Sequence, residues 1–403
     1  MSRAGIFSNK GVFVNELRLA VALTGNIHTD PGTRVKLGFL VQALSRQFHI
    51  VAVVDANLSG LPRLLNALRV MHPNRRIWQE RFYKNLPTFD ARSRKANRAL
   101  SALKGQVDGV LQIGVMFDAQ RTSTGLPSVI YTDYTAQLSA ARPAAGRSPL
   151  PPQQRAAWIA RERQAFASAA HVFTRAAFVR QSVLQDYQLP SEKVSVVGGG
   201  VNLPALPELP ARDPQRAPVI LFIGKEFHRK GGDVLLQAFS QLQSRFPQAR
   251  LRLLTHRPPQ TADTPPQVEW LAPTWDRAAV ARLYAEADVF VLPSRLETWG
   301  DVLLEAMAYG LPCVGVAGEA MPEIIQDGQT GRIVPPQDAA ALALALEELL
   351  SSHTQRQAMG LAGRQRVETQ FTWDHVVQRM APVILSVFPS PLYFAKGGAP
   401  SKA

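Results

Sequence analysis

The feature that most constrains the fold is a pattern of short apolar runs, each followed by a turn and an amphipathic, helix-like stretch. The first half of the chain contains the runs LRLAVAL, HIVAVVDA, GVLQIGVMF, SVIYTDY, AAHVFT and KVSVVGG. The second half contains PVILFIG, ARLRLLT, VEWLA, ADVFVLPS, PCVGVA and GRIVPP. Continuous runs rich in β-branched residues indicate strands that are buried on both faces. The sequence therefore predicts an α/β protein whose parallel sheets are covered by helices.

A proline-rich segment divides the pattern into two halves. Residues 202–218, NLPALPELPARDPQRAP, contain five prolines and are interpreted as a linker. The prediction is two Rossmann-like, doubly wound domains, 1–203 and 204–371, that face each other across a cleft. A C-terminal helix at about 372–388 is expected to pack back on the first domain, and residues 389–403 are interpreted as a tail.

The loops that follow the strands are where functional residues are expected, because ligands bind beyond the carboxyl ends of the strands in such sheets. No G-x-x-x-x-G-K-[ST] motif occurs, which excludes a P-loop NTPase. The first strand leads into TGNIHTDPGT rather than G-x-G-x-x-G, which argues against a dinucleotide-dependent dehydrogenase. A second proline-rich stretch, 142–152, is interpreted as a surface loop of the first domain.

A lone cysteine, Cys313, excludes a disulfide framework and a cysteine metal site, and it points to a reducing compartment. Cys313 itself is expected to be a small buried residue of a strand. The sequence starts MSRAGIFSNK without the apolar region of a signal peptide, and no apolar run approaches the ~18 residues of a membrane span. These features predict a cytoplasmic protein without a transmembrane anchor.

The net charge of +14 comes from the first half of the chain. Residues 1–200 contain 26 Lys and Arg against 11 Asp and Glu, an excess of 15 positive charges. The region 63–104 alone has eleven Lys and Arg against two acids, and aromatic residues are interleaved with the charges: Trp78, Phe82, Tyr83 and Phe89. Two interpretations stay open, an anionic membrane interface or a solvated helix face whose aromatics are core. Nucleic acid fits less well because no known binding motif accompanies the charge.

Two glutamates, Glu297 and Glu305, are separated by seven residues in RLETWGDVLLEAMAYGLPCV. The apolar stripe predicts a helix that begins near Asp301 and is closed by Gly310, so Glu297 lies in the loop and Glu305 in the second turn. Between the glutamates, the backbone N–H groups of Gly300, Asp301 and Val302 would form a helix N-terminus, which favours a phosphate. The alternative is two solvated glutamates that flank an ordinary helix, and the spacing alone favours this alternative.

Two lysines follow the first strand of the second half, in LFIGKEFHRKGGDVLLQAF. Lys225 comes directly after the strand, and Lys230 precedes Gly231 and Gly232. Ammonium groups on such a loop can neutralise a diphosphate, and glycines let the backbone approach it. The alternative is a plain surface turn.

Together these motifs resemble those of the retaining glycosyltransferases of family 4 (glycosyl transferases group 1), which have the GT-B fold. The family signature E-x-[FW]-G-x-x-x-x-E-A-M-A-x-G-x-P is matched from Glu297 to Pro312, and the similarity continues through GEAMPEIIQDGQTGRIVPPQD. The basic pair after the first strand also matches, although Arg is commoner than Lys at position 225. The resemblance is dense over 218–373 and looser in the first half.

The resemblance implies roles for the residues that match. Lys225 and Lys230 would hold the diphosphate of a nucleotide-sugar, and the backbone at 300–302 would meet phosphate and sugar. Glu305 would bind the ribose hydroxyls, and Glu297 a hydroxyl of the transferred sugar. No metal and no cofactor beyond the co-substrate are implied, because two lysines and a helix dipole supply the positive charge.

The first half matches the family less well. DPGTRVKLGFLVQAL resembles the loop that opens the first helix, with Gly32 and Thr33 facing the cleft; a plain turn is the alternative. Asp133 stands at or beside the position of a histidine that many relatives carry near the sugar, and a capping or structural aspartate is the alternative. Ala176 and Ala177 replace the usual Ser-Glu pair.

The prediction is a metal-independent hexosyltransferase that acts with retention. Its acceptor-binding domain would be 1–203 and its nucleotide-sugar-binding domain 204–371. The expected acceptor is a polysaccharide, a lipopolysaccharide or a lipid-linked glycan, and the expected location is the cytoplasm. If the basic region 63–104 is a membrane interface rather than a solvated helix face, the protein would lie at the inner face of the membrane. The alternatives are a nucleotide-sugar epimerase or hydrolase of the same fold, and a non-catalytic binding protein.

Overall fold

The computed structural model describes residues 16–121, 124–142, 150–258 and 264–388. The chain divides into two compact units. Unit 1 is Met1–Gly198 with Val376–Ala403, and unit 2 is Gly199–His375. The domains predicted at 1–203 and 204–371 differ from these units by a few residues at each boundary. The predicted tail 389–403 and most of the predicted loop 142–152 lie outside the described residues.

Unit 1 contains a parallel sheet with the strand order β2-β1-β3-β4-β5-β6. The strands are β1 Arg18–Leu23, β2 His49–Asp55, β3 Gly109–Ile113, β4 Ser128–Thr132, β5 His171–Thr174 and β6 Val194–Val196. Every residue of β3, β4 and β5 is buried, as continuous apolar runs predict for a sheet covered on both faces. The parallel α/β prediction is confirmed for this unit.

Helices surround this sheet in the described residues. They are α1 Pro31–Thr33, α2 Phe39–Gln47, α3 Gly60–Arg69, α4 Arg75–Tyr83, α5 Leu86–Ser101, α6 Ala136–Ala141, α7 Pro152–Ser168 and α8 Ala177–Gln185. A π-helical turn, Arg34–Gly38, joins α1 to α2. Side chains cap several N-termini: Asn85 accepts a hydrogen bond from the Thr88 N–H, and Thr135 one from the Leu138 N–H.

Unit 2 contains a second parallel sheet with the strand order β12-β11-β10-β7-β8-β9. The strands are β7 Val219–Ile223, β8 Arg250–Leu254, β9 Val268–Leu271, β10 Val289–Val291, β11 Cys313–Val316 and β12 Gly331–Val334. The helices are α9 Gly232–Leu242, α10 Arg277–Glu286, α11 Asp301–Ala308, α12 Met321–Ile324, α13 Ala339–Ser351 and α14 His353–Gln370. All twelve apolar runs picked out in the sequence contain a strand, and Cys313 is buried as expected.

The last described helix, α15, is Trp373–Val387, and most of it belongs to unit 1. The Nε atom of Arg379 donates a hydrogen bond to the carbonyl of Val197, just after β6, at 2.8 Å. This contact joins the helix to the sheet of unit 1. Among the described residues, no helix combines the length and the apolar character that crossing a bilayer requires.

The proline-rich segment 202–218 contains neither helix nor strand. The guanidinium group of Arg212 donates hydrogen bonds to the carbonyls of Ala287 at 2.7 Å and Tyr309 at 2.8 Å. The segment is thus part of unit 2 and packs against the rest of that unit.

Candidate functional site

The candidate site of unit 2 lies where two neighbouring strands end. β7 and β10 pair in parallel, with Leu221 opposite Phe290, so their carboxyl ends lie side by side. From β7 the chain builds the sheet outward through β8 and β9, then crosses over to β10 on the other side. The loops after β7 and β10 therefore start side by side, at the place where the order of strands reverses. Open α/β sheets bind ligands at this place.

Hydrogen bonds hold these two loops together. The N–H of Arg295 donates to the carbonyl of Arg229 at 2.9 Å, and the Arg229 guanidinium donates to the carbonyl of Leu296 at 2.9 Å. Arg295 also binds both carboxylate oxygens of Asp233, at the start of α9, at 2.6 and 2.8 Å. A bidentate pair of this kind fixes orientation as well as distance, so the loops form one structured platform.

Gly231 allows the close approach of the loops. Its φ of +75° is in the left-handed region, and a Cβ atom there would lie 1.9 Å from the carbonyl oxygen of Pro293. Only glycine meets both conditions without strain. The sequence analysis expected this glycine to let the backbone approach a diphosphate. In the structure, Gly231 lets the loop after β10 approach the loop after β7.

Lys230 and Glu297 form an ion pair across the platform. Their side chains are only 13% and 9% exposed. The aliphatic part of Lys230 packs against Gly224, where a Cβ atom would lie 2.8 Å from the Lys230 Cγ. The N–H of Glu297 donates to the carboxylate of Glu319. The structure therefore brings two of the predicted site residues into direct contact and adds Glu319, which the sequence analysis did not single out.

The predicted phosphate-binding helix begins at the expected residue. α11 starts at Asp301, and Gly300 is its N-cap with a φ of +109°. A glycine at this position has no side chain with which to cap the helix. The N-terminus of α11, where the positive end of the helix dipole lies, therefore follows Glu297 by three residues in the same loop.

Glu305 is held at the second turn of α11 by two side chains of α10. Arg277 Nη2 donates to Glu305 Oε1 at 3.1 Å, and the Tyr284 hydroxyl donates to Glu305 Oε2 at 3.1 Å. Burial raises the pKa of Glu305, while Arg277 opposes that rise. Glu297 and Glu305 are 7% and 4% exposed, so the alternative of two solvated glutamates is wrong.

Lys225 occupies a different environment from Lys230. It is exposed, and its Nζ lies 3.8 Å from the ring centroid of Trp275, which is itself 53% exposed. This is the geometry of a cation–π contact. Trp275 follows β9 and was not singled out in the sequence, because a lone aromatic residue in a loop has no pattern.

In unit 1, Gly32 and Thr33 belong to a locally ordered turn. Asp30 caps α1: it accepts hydrogen bonds from the N–H of Gly32 at 3.0 Å and from the hydroxyl of Thr33. The hydrogen bond from Thr33 is the main reason that the pKa of Asp30 is lowered. Thr33 also packs against Gly25, where a Cβ would lie 2.3 Å from its hydroxyl oxygen. Thr33 thus has a structural role in the turn, and a ligand-binding role for Gly32 and Thr33 stays a prediction.

Asp133 is exposed and lies just after β4, beside a cavity of about 220 Å³. The N-cap of the following helix is Thr135, so Asp133 does not cap that helix, and a structural role of Asp133 stays an alternative. Glu162 lines the same cavity; it accepts hydrogen bonds from the Ala136 N–H at 2.7 Å and from the Tyr187 hydroxyl. Burial raises the pKa of Glu162 to about 7. A buried acid inside a long helix gives no motif, so the sequence analysis missed it.

Ala176 is the N-cap of α8 and, unlike a serine, has no side chain that can accept a hydrogen bond. Within the described ranges, no three His, Cys, Asp or Glu side chains are grouped so that they could hold a metal ion. Whether the reaction needs a metal stays a matter of prediction.

Comparison with known proteins identifies the domain that carries these loops. Residues 210–366, which include both of these loops, match the family model Glycosyl transferases group 1. The D-inositol 3-phosphate glycosyltransferase of Corynebacterium aurimucosum is 33% identical over 174 residues, which are 40% of this chain and 41% of the relative. The matches span about half the length of the curated relatives.

Two solved structures resemble nearly the whole chain. Sucrose-phosphate synthase from Thermosynechococcus elongatus has a TM-score of 0.67 at 19% identity, covering 94% of this chain and 100% of the other. Anabaena HepE in complex with UDP and glucose has a TM-score of 0.59 at 14% identity, covering 92% and 100%. At these identities the likeness concerns the fold, and the predicted GT-B fold class is confirmed.

Proposed function

We propose that the protein is a glycosyltransferase that moves a sugar from a nucleotide-diphosphate sugar to a glycan or glycolipid acceptor. The observation that carries the proposal is the buried Lys230–Glu297 pair, placed at the switch point of the sheet in the loop that opens α11. The match of residues 210–366 to Glycosyl transferases group 1 supports it. Further support comes from the name of the Corynebacterium relative, a glycosyltransferase, and from HepE, whose structure contains UDP and glucose.

Binding of the donor would rearrange the ion pair. In the structure described here the charge of Lys230 is neutralised by Glu297. A diphosphate bound at the N-terminus of α11 carries more negative charge than one carboxylate and would compete for the ammonium group. Once Lys230 turns to the phosphates, Glu297 is released to accept a hydrogen bond from a hydroxyl of the sugar. The same rearrangement would thus place Lys230 at the diphosphate and free Glu297 for the sugar.

Glu305 would bind the ribose. An ionised carboxylate can accept about four hydrogen bonds, and Arg277 and Tyr284 supply two. The remaining lone pairs can accept the two ribose hydroxyls, while Arg277 favours the ionised form against the effect of burial. Lys225 and its neighbour Trp275 would complete the positive side of the donor site.

Retention of configuration, independence of metal and a peripheral position at an anionic membrane are parts of the same proposal. Two lysines and the dipole of α11 would stabilise the leaving diphosphate, the task that a divalent cation performs elsewhere. Asp133 and the region 63–104 lie in unit 1 and would serve the acceptor side.

A thermal-shift series tests the donor site. The chain is mixed with UDP, GDP or ADP and with the corresponding sugar nucleotides, each with and without EDTA. We expect one nucleotide family to raise the melting temperature, and EDTA to leave the shift unchanged. The absence of any shift would overturn the proposed donor site, and loss of the shift with EDTA would overturn metal independence.

Product analysis with the stabilising donor tests the reaction. NMR of the anomeric proton would show the donor's configuration in the product if transfer occurs with retention. Release of free sugar alone would indicate a hydrolase, a change of sugar stereochemistry an epimerase, and binding without turnover a non-catalytic protein.

A further inference from the structure

Helix α3, Gly60–Arg69, has its apolar side turned to solvent. Leu61, Leu64, Leu65 and Leu68 follow the i, i+3, i+4, i+7 spacing of one helical face. They are 65%, 56%, 56% and 59% exposed, and Met71 beyond the helix is 72% exposed. Twelve large apolar side chains of the described residues are at least 36% exposed, and these five lie within eleven positions. Such a concentration marks an interaction surface rather than scattered exposure.

The opposite side of α3 is fixed inward by a polar residue. Asn66 is 7% exposed; its amide donates to the carbonyl of Phe82 at 2.9 Å. Its side-chain oxygen accepts hydrogen bonds from Asn85 Nδ2 at 3.0 Å and from the Thr88 hydroxyl at 2.7 Å. Rolling the helix to bury the leucines would break these buried hydrogen bonds. The outward orientation of the leucines is therefore built into the fold.

The surroundings of this leucine face are positively charged. Residues 56–79 contain four arginines and no acid, and Arg63, Arg69 and Arg75 are exposed. At the end of α3, Arg69 lines a cavity of about 520 Å³ together with Arg81 and Lys84. The carboxylate of Asp90 in that cavity is already bound by two arginines, Arg121 at 2.6 Å and Arg161 at 2.7 Å.

The aromatic residues of the region divide between core and surface, and Tyr83 is 50% exposed. Phe89 is fully buried, and the indole N–H of the half-buried Trp78 donates to the carbonyl of Ala67 at 2.9 Å. For Phe89 the interpretation as core is correct. The leucines of α3, which composition did not single out, supply the exposed apolar area.

We propose that α3 is a docking surface for an anionic lipid bilayer. The leucine face would enter the boundary between head groups and acyl chains, while the arginines and the basic cavity would meet lipid phosphates. A leucine stripe flanked by exposed arginines matches such a surface in both polarity and charge. A second copy of the chain fits less well, because a symmetric contact through this face would bring the two sets of arginines together.

Sedimentation with vesicles tests the surface on the full chain. We expect binding to vesicles of phosphatidylcholine mixed with phosphatidylglycerol, reduced binding at high salt, and little binding to phosphatidylcholine alone. The double variant L64Q/L65Q should bind the anionic vesicles at least about tenfold more weakly, since it removes apolar area that would be buried in the bilayer. The variant R63Q/R69Q should lose most of the salt dependence.

The matched control is L344Q/L361Q, which changes two leucines of unit 2 that are 66% and 50% exposed. It should bind vesicles like the unaltered chain. An equal loss of binding in the control would overturn the proposal, as would failure of the unaltered chain to bind anionic vesicles at low salt. Self-association that L64Q/L65Q abolishes, without vesicle binding, would assign the face to a second copy instead.

The inference refines the membrane part of the proposed function, and its test is independent of the donor site. The melting temperatures of all variants with and without the stabilising nucleotide report the site in unit 2. Vesicle binding without a nucleotide-induced shift in melting temperature would support the docking surface and overturn the donor site. A nucleotide-induced shift without vesicle binding would support the donor site and overturn the docking surface. Equal melting temperatures of the variants without ligand would show that the exposed substitutions leave the fold intact.

Discussion

The ammonium group of Lys230 is paired with the carboxylate of Glu297, although the two residues lie 67 positions apart in the chain. They meet because β7 and β10, the strands that precede them, are neighbours in the sheet of unit 2. Both side chains are largely buried, so each depends on the other to compensate its charge. This pair is the centre of the proposed donor site, and its two partners give distinct predictions.

Glu297→Gln should nearly abolish sugar transfer, with a fall of about 10²–10³ in kcat, the size typical for loss of a group that stabilises the transition state. Nucleotide affinity should stay within a few fold, because the proposed contact of Glu297 is to the sugar. Both quantities are measured on the same preparation. Glu286→Gln is the control, since Glu286 is 56% exposed and forms a surface pair with Arg252. Unchanged turnover of Glu297→Gln would remove Glu297 from the site.

Lys230→Ala should weaken donor binding at least about tenfold, because a charge-assisted hydrogen bond contributes roughly 1.5–3 kcal/mol. Isothermal titration with the nucleotide that stabilises the protein measures the loss. Lys193→Ala in unit 1 serves as control, since Lys193 binds the carbonyl of Ala169 and lies outside the proposed donor site. Equal affinity of Lys230→Ala and the unaltered chain would contradict a role of Lys230 at the diphosphate.

Gly231→Ala should destabilise unit 2 more than an ordinary left-handed glycine would. The new Cβ would lie 1.9 Å from the carbonyl oxygen of Pro293, so the two loops must separate. The matched control is Gly105→Ala, whose φ is +80° and whose Cβ would meet nothing within 4 Å. The control should cost about 1–2 kcal/mol, the penalty of left-handed backbone alone. Urea unfolding compares the two, and equal costs would refute a close contact at Gly231.

The buried Glu162 should make the stability of unit 1 depend on pH. Burial raises its pKa from 4.5 to about 7, so the folded state holds this proton more tightly than the unfolded state does. Stability from this group is therefore present below about pH 4.5 and falls as the pH rises to about 7, by about 3 kcal/mol in total. Glu162→Gln should lack that fall.

Urea unfolding at pH 5 and pH 8 checks the Glu162 prediction. The stability of the unaltered chain relative to Glu162→Gln should decrease between the two pH values. Glu192→Gln is the control, because Glu192 is exposed and has no comparable burial. An identical pH dependence of the unaltered chain and Glu162→Gln would contradict the raised pKa.

Local patterns determined much of the fold in advance. Continuous apolar runs located all twelve strands of the described residues, because a strand covered on both faces requires apolar residues at successive positions. The apolar stripe predicted that α11 begins near Asp301, where it does begin. Gly310 was predicted to close the helix, and it lies just after α11 with a left-handed backbone. The same patterns placed Lys230 and Glu297 in loops after strands.

Contacts between residues far apart in the chain could not be predicted from local patterns. Glu319 binds the backbone of Glu297, and Arg277 and Tyr284 hold Glu305, through side chains that carry no motif of their own. The leucine stripe of α3 is a pattern that normally indicates a buried face. In α3 the stripe is exposed instead, because the hydrogen bonds of Asn66 fix the opposite side of the helix inward. These bonds form with residues 16 to 22 positions away.

The sequence by itself determined which segments are strands and helices, the two-domain α/β class and the loops that carry the candidate residues. The tertiary structure alone decided that β7 lies beside β10, that Lys230 therefore neutralises Glu297, and that α3 presents its leucines to solvent. The physical reason is that hydrophobic period and turn residues act over a few positions along the chain. The order of strands and the partner of each buried polar group depend instead on contacts between segments far apart in sequence.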